Sequence, residues 1–249
     1  MPILPKISII TVCYNSETTL ERTIQSVIAQ RYQNVEYLII DGGSKDKTLA
    51  IINNYRDNID FILSESDDGM YDAINKGIKA ATGDVIGLLH ADDVFASDDV
   101  LLAIANVFQE SNNQALYGDL TYTQPNGKVL RKWISKPYRS GMFNWGWMPP
   151  HPTFYCKREL FERLGYYSTD FGTACDYELM VRFMHYNNIN SYYLNKIIVK
   201  MSVGGISNAS LGNRLQAWKN DHKAMWKNGV KIPLLALAIK PLRKLGQFF

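Results

Sequence analysis

The first hundred residues alternate between short unbroken apolar runs and stretches whose apolar positions recur every three or four residues. Residues 6–13, 35–40, 59–63 and 84–90 are the unbroken runs, which read as strands buried on both faces. Between them, Leu20, Ile24, Val27 and Ile28 share one helical face, residues 46–55 form a second helix, and Tyr71, Ile74, Ile78 and Ala81 mark a third. Asn15 and Ser16 are candidate caps for the first helix and Gly83 for the end of the third. Strands alternating with helices predict a mostly parallel sheet with right-handed crossovers.

After a helix near residues 98–110 the pattern changes. Residues 115–123 and 128–134 read as strands around Asn126-Gly127, a type I′ hairpin signal, and so predict an antiparallel addition. An aromatic loop follows at 142–150, then a short strand at 151–156 and helices at 157–164 and 175–186, the latter with Leu179, Met180, Phe183 and Met184 in phase. A last strand is expected at 191–200 and a mobile loop at 203–208.

Composition bounds the class. A chain of 249 residues with 46% apolar content can bury one substantial core. Three widely spaced cysteines (Cys13, Cys156, Cys175) suggest neither a disulfide framework nor a zinc site, and read as small buried hydrophobes in a reducing cytoplasm. No signal peptide precedes the first strand, and no apolar stretch approaches the roughly 20 residues of a membrane span. The net charge of +3 hides an asymmetry: residues 214–249 hold eight of the 27 Lys and Arg but one of the 24 acids, so residues 1–213 are net acidic. An acidic body with a basic tail argues against nucleic-acid binding and for an anionic partner of the tail.

Candidate chemistry gathers where the strands end. Asp41, Asp67 and Asp68, and Asp92 and Asp93 each follow a predicted strand; in a parallel sheet they converge on the edge where α/β folds bind ligands. Asp46, Asp98 and Asp99 sit at helix starts and read as caps. Asp92 and Asp93, adjacent after a buried run, would repel without a cation. Mg2+ or Mn2+ with a phosphate-bearing ligand suits such a pair. Gly42 and Gly43 leave room for a flat group or simply make a tight turn. P-loop, GxGxxG and HExxH patterns are absent.

Six segments in order, ISIITVCYN (7–15), EYLIIDGGSKD (36–46), DDGMYDAINKGI (67–78), GDVIGLLHADDVF (83–95), HPTFYCKRELFERLG (151–165) and CDYELMVRF (175–183), together resemble the family 2 inverting glycosyltransferases across residues 6–205. The resemblance implies an α/β GT-A fold, a nucleotide-diphospho-sugar donor and a divalent metal. By matching position it implies that Tyr14 and Asp41 contact the base or ribose with Asp68 assisting, that Asp92 orders the donor and Asp93 holds the metal, and that Asp176 is the catalytic base. On periodicity alone Asp176 is a helix cap. The family often has two acids where this chain has Asp41-Gly42. His90 takes the first place of the D-x-D-D form, which leaves the metal to Asp92 and Asp93.

His151 reads either as an acceptor or phosphate contact or as a structural histidine, and Trp145 and Trp147 either as sugar-stacking rings or as buried anchors. The expected layout is a GT-A catalytic domain over 1–213, with a donor half at 1–113 and an acceptor half at 114–213, followed by a basic helical tail at 214–249. Apolar residues interleaved with Lys231, Lys240, Arg243 and Lys244 suit residues 230–249 to an anionic membrane surface, or to packing on the domain with a solvated basic side; Pro233 and Pro241 argue against one continuous helix there. Transfer of a sugar to a saccharide acceptor on a lipid carrier, in cell-surface polysaccharide synthesis on the inner face of the cytoplasmic membrane, would fit. Two other classes share these features: a sugar-phosphate nucleotidyltransferase, which would carry a basic phosphate loop where Val12-Cys13-Tyr14-Asn15-Ser16 has no basic residue, and a non-catalytic nucleotide-sugar or glycan-binding module.

Overall fold

The structure, a computed structural model, describes residues 4–110, 112–124, 126–202, 211–245 and 247. The predicted loop at 203–208 and the terminal Phe248 and Phe249 lie outside the described residues. The apolar runs form β1 (Ile7–Cys13), β2 (Val35–Asp41), β3 (Phe61–Ser64) and β4 (Val85–Leu88), with α1 (Leu20–Ile28), α2 (Thr48–Asn54) and α3 (Met70–Ala80) between them. Neighbouring strands in the order β3-β2-β1-β4 are parallel, so their carboxyl ends share one edge.

The sheet continues beyond β4. After β5 (Val94–Phe95) and α4 (Val100–Glu110) come β6 (Ala115–Thr123), β7 (Val129–Trp133), β8 (Tyr155–Lys157), α5 (Glu159–Leu164), α6 (Cys175–Met180) and β9 (Ser191–Ser202). The order is β3-β2-β1-β4-β8-β6-β9-β5 with β7 on β6; β8 is antiparallel to β4 and β6, and β9 parallel to β6. This is the α/β architecture with an antiparallel addition that the sequence pattern predicts. The hairpin closes through Gln124 N–H to Lys128 O and Gly127 N–H to Gln124 O, one residue longer than a type I′ turn.

Period-two alternation divides the buried side chains into two cores. Ile10, Val12, Leu38, Ile40, Ile86 and Leu88 pack with Ile74 and Ile78 of α3 and with α6. Ile7, Ile9, Ile39 and Val85 pack on the opposite face with Leu20, Ile24 and Val27 of α1 and with α4. Gly77 lets α3 approach β1 closely, because a β-carbon there would lie 2.5 Å from Ile10 Cγ2.

The tail forms α7 (Leu211–Lys227) and α8 (Pro233–Leu245), and Ala224, Met225, Val230, Ala236 and Leu237 are buried in the first core. Contrary to expectation, α8 runs through Pro241, while Pro233 sits at its first position, where no N–H is required. Three expected caps also differ. Asn15 Oδ1 accepts from Lys45 N rather than capping α1; Ser16 serves α1 with its backbone carbonyl; and Gly83 is glycine because a β-carbon would meet Ser8 Oγ. Asp46 does accept the Thr48 N–H, whereas Asp98 pairs with Arg31 and Asp99 with Lys196.

One buried acid fixes the sheet's amino-terminal edge. Glu36 accepts from Ser8 Oγ, Thr82 N and Oγ1, and Lys6 Nζ. Burial raises its pKa, but these donors outweigh burial and hold it at about 2. A depressed carboxylate contributes stability above its unfolded value, here 4.5, that disappears as pH falls through about 2. Glu36→Gln should therefore flatten the decline of the unfolding midpoint between about pH 5 and about pH 2.5, a component on the order of 2 to 3 kcal/mol. Parallel wild-type and variant curves would show that Glu36 contributes nothing of the kind.

Candidate active site

The shared carboxyl edge of β1–β4 builds the first wall. Asp41, the last residue of β2, is fully buried, and its oxygens accept from Ser44 N, Ser44 Oγ, Gly43 N and, at 2.7 Å, Ser64 Oγ. Ser44 Oγ in turn accepts from Asn15 N at 2.8 Å. Asp41 thus shapes the turn from beneath, while Tyr14, 63% exposed, stands above it. Gly42 has no side chain where Asp67 approaches: a β-carbon there would be 2.5 Å from Asp67 Oδ2 and 3.5 Å from Tyr14 Cδ2. Asp67, not Asp68, lies in this cradle; Asp68 is exposed and donates its backbone N–H to Asp72.

Beyond β4 the chain turns with Asp93 N–H donating to His90 O. Asp92 is exposed, whereas the Asp93 side chain is fully buried. Ser202 at the end of β9 clamps the pair, its N–H donating to Asp93 Oδ1 at 3.2 Å and its hydroxyl to Asp92 O at 2.7 Å. Asp93 Oδ2 is buried with no hydrogen-bond partner. Burial and the neighbouring Asp92 push the Asp93 carboxyl well up, opposed by the Ser202 N–H; partial desolvation at this edge raises Asp92 despite its exposure, against the lowering effects of its own N–H and of Arg22. An orphaned buried oxygen beside a second carboxylate fits a hard cation. Among the described residues no group of three or more His, Cys, Asp or Glu side chains could hold a metal. Asp92 and Asp93 would therefore need further oxygens from a phosphate-bearing ligand.

The facing wall comes from α6, which continues as a π-helical turn over Val181–Tyr186. Its N-cap is Ala174 with no side-chain cap bond, so Asp176 does not cap the helix. The Asp176 carboxylate instead lies 3.0 Å from His151 Nδ1 and accepts from Tyr71 Oη at 3.4 Å. The His151 ring is 6.0 Å from that of His90. Tyr71, Asp176, His151 and His90 thus form one chain of contacts from α3 and α6 to the turn that carries Asp92 and Asp93. Burial and then His151 lower the His90 pKa to about 4, against a smaller raising effect of Asp176, so His90 is neutral at pH near 7.

Behind this wall, Glu178 is fully buried and paired with Arg182, whose remaining N–H groups donate to the carbonyls of Leu164, Gly165 and Tyr166. That clasp fixes the loop leading toward Asp176. In the aromatic loop, Trp147 is buried against Tyr117, Tyr138 and Phe143, while Trp145 is 56% exposed. Trp147 is thus an anchor, and of the two rings only Trp145 is presented to solvent.

Tyr71 and Ser202 are the site residues that sequence reasoning did not single out, while Asp67, named there among the strand-end carboxylates, takes the place by Gly42 that the family resemblance gave to Asp68. Tyr71 occupies an apolar helix position and reads as core, and Ser202 carries no signal at all.

The glycosyl transferase family 2 model matches residues 8–173. The chain belongs to that family. It is 32% identical over 188 residues to the uncharacterized glycosyltransferase Rv1514c of Mycobacterium tuberculosis, covering 72% of this chain and 68% of that one. The fold resembles the solved structure of TarS 1-349 of S. aureus in complex with UDP, with a TM-score of 0.68 and 18% identity over 97% of this chain and 72% of that one. The longer TarS chain is matched over 39% of its length. It also resembles the mannosyltransferase PcManGT of Pyrobaculum calidifontis in complex with GDP-Man and Mn2+, with a TM-score of 0.66 and 17% identity over 96% of this chain and 69% of that one. The parallel strands, their helices and the antiparallel addition of this family 2 chain make up the GT-A fold. Among the described residues, no helix is long and apolar enough to cross a membrane.

Proposed function

We propose that this family 2 chain transfers a sugar, with inversion, from a nucleotide-diphospho-sugar to a hydroxyl of a saccharide acceptor carried on a lipid. The observation that carries the reading is Asp93: a buried carboxylate with one unpaired oxygen, beside exposed Asp92, at the carboxyl edge of a parallel sheet. Such an edge is where an α/β fold takes its ligand. The complexes of TarS with UDP and of PcManGT with GDP-Man and Mn2+ support a donor of this class in this fold.

In this reading Tyr14 stacks on the base, Asp67 accepts a hydrogen bond from the base or ribose, and Asp41 holds the turn that places them. Asp68, the exposed chain neighbour of Asp67, assists in donor binding. Asp92 and Asp93 hold Mg2+ or Mn2+, which when bound offsets the charge on the leaving diphosphate. Asp176, positioned by Tyr71 and His151, takes the proton of the acceptor hydroxyl as it attacks, since an alcohol is a poor nucleophile near neutral pH. His151 and exposed Trp145 flank the acceptor. Attack from the side opposite the diphosphate inverts the anomeric centre in one displacement.

The enzyme would work at the cytoplasmic face of the membrane, with residues 230–249 against anionic lipid, in cell-surface polysaccharide synthesis. The test is a panel of nucleoside diphosphate sugars with Mn2+ or Mg2+, read by thermal shift and by nucleoside diphosphate release. One donor should stand out, with binding that requires the metal. Equal binding of that donor in chelator would overturn the assignment of Asp92 and Asp93.

A further inference from the structure

We infer that α7 carries an interfacial docking face for an anionic lipid bilayer, which moves the main membrane contact ahead of residues 230–249. The inference rests on the membrane reading of the tail. At about 100° per residue, Leu215, Trp218 and Trp226 fall within an arc of about 80° on α7, opposite the buried Ala224. These three apolar side chains are 67%, 49% and 75% exposed. Lys219, Lys223 and Lys227, all exposed, follow at four-residue spacing along one flank of that arc, and the buried Met225 borders the other.

A stripe of tryptophan and leucine beside a stripe of lysine suits the boundary of an anionic membrane. The rings enter the headgroup region, Lys219 meets the phosphates, and Lys223 and Lys227, held over Phe171 at the flank, add positive potential beside them. Lipid is favoured over a second copy of the chain by charge: copies meeting through this face would oppose lysine to lysine. The following helix also exposes apolar side chains, Leu234 and Leu242 of α8 being 68% and 63% exposed. Lys240 ties the two helices through Asp221 at 2.6 Å.

The placement relates this face to the acceptor wall. Lys223 Nζ donates to Asp170 O, and Lys223 and Lys227 lie 5.0 and 5.1 Å from the ring of Phe171. Residues 169–174 run directly into α6 and Asp176. A bilayer bound to α7 would therefore lie against the segment that sets Asp176, which suits a saccharide presented on a lipid.

Removing residues 230–249 would also strip Val230, Ala236 and Leu237 from the core, so point substitutions are the cleaner test. The full chain and a Trp218→Ser, Trp226→Ser variant would be sedimented with vesicles of phosphatidylcholine alone or with about a third phosphatidylglycerol. The wild type should bind the anionic vesicles at least about tenfold more tightly than the neutral ones, with a blue shift of tryptophan emission. The double variant should lose about tenfold or more of that binding while keeping its unfolding midpoint and its metal-dependent donor binding. Wild-type vesicle binding by the variant would overturn the proposal. So would a wild type that ignores anionic vesicles, or one whose dimerisation the double substitution abolishes without affecting vesicle binding. Because donor binding is read separately, failure here is distinguishable from failure of the proposed transfer reaction.

Discussion

Asp176→Asn is expected to lower the transfer rate by about three orders of magnitude, close to 4 kcal/mol in the barrier, with donor affinity unchanged within about twofold. The amide keeps the volume of the carboxylate and can still accept from Tyr71 Oη, so the wall of α6 stays in place. What disappears is the basicity needed to take a hydroxyl proton. His151→Gln should cost less, about tenfold, because His151 meets Asp176 at 3.0 Å and positions it without receiving the proton in the proposed reaction. The measurement is single-turnover transfer alongside calorimetric donor titration. An Asp176→Asn enzyme within about tenfold of wild type would remove Asp176 from the chemistry and leave it as part of the packing around Tyr71.

The residues that could be read directly were those whose chemistry and local periodicity agree. The buried runs of β1–β4 and the in-phase faces of α1 and α3 announce themselves because burial on both sides of a parallel sheet forces near-continuous apolar sequence. Asp92 and Asp93 were legible because adjacent acids after such a run have no packing rationale. Pairings across the chain were not legible. Nothing local in Asp41 says that Ser44 and Ser64 enclose it, and nothing in Asp67 says that it fills the space above Gly42. Likewise Asp176 resembles a cap until Tyr71, 105 residues earlier, and His151 are seen to claim its oxygens. The tail misled differently: Pro241 is a helix breaker by local rule, but packing of Ala236 and Leu237 into the core holds α8 together around it.

Asp93→Asn should separate function from stability in a way that few buried substitutions do. The Asp93 side chain is fully buried, Oδ1 is held by the Ser202 N–H and Oδ2 has no partner. A buried charge without a counter-charge is costly, so exchanging it for a neutral amide that still accepts from Ser202 should leave the metal-free protein as stable as wild type or more so, by about 1 to 2 kcal/mol. The same exchange removes the anionic oxygen that would meet a hard cation. The rise in unfolding midpoint produced by Mn2+ with a nucleoside diphosphate should therefore vanish, corresponding to a loss of about a hundredfold or more in joint affinity. Asp92→Asn should weaken that response too, but with little effect on the metal-free midpoint, because Asp92 is exposed. The opposite pattern, a destabilised Asp93→Asn protein that still responds fully to Mn2+ and nucleotide, would mean that Asp93 serves only to tie the end of β9 through Ser202. The two outcomes differ in sign on the same melting curve, and that makes Asp93 the sharpest single test of how this edge of the sheet is used.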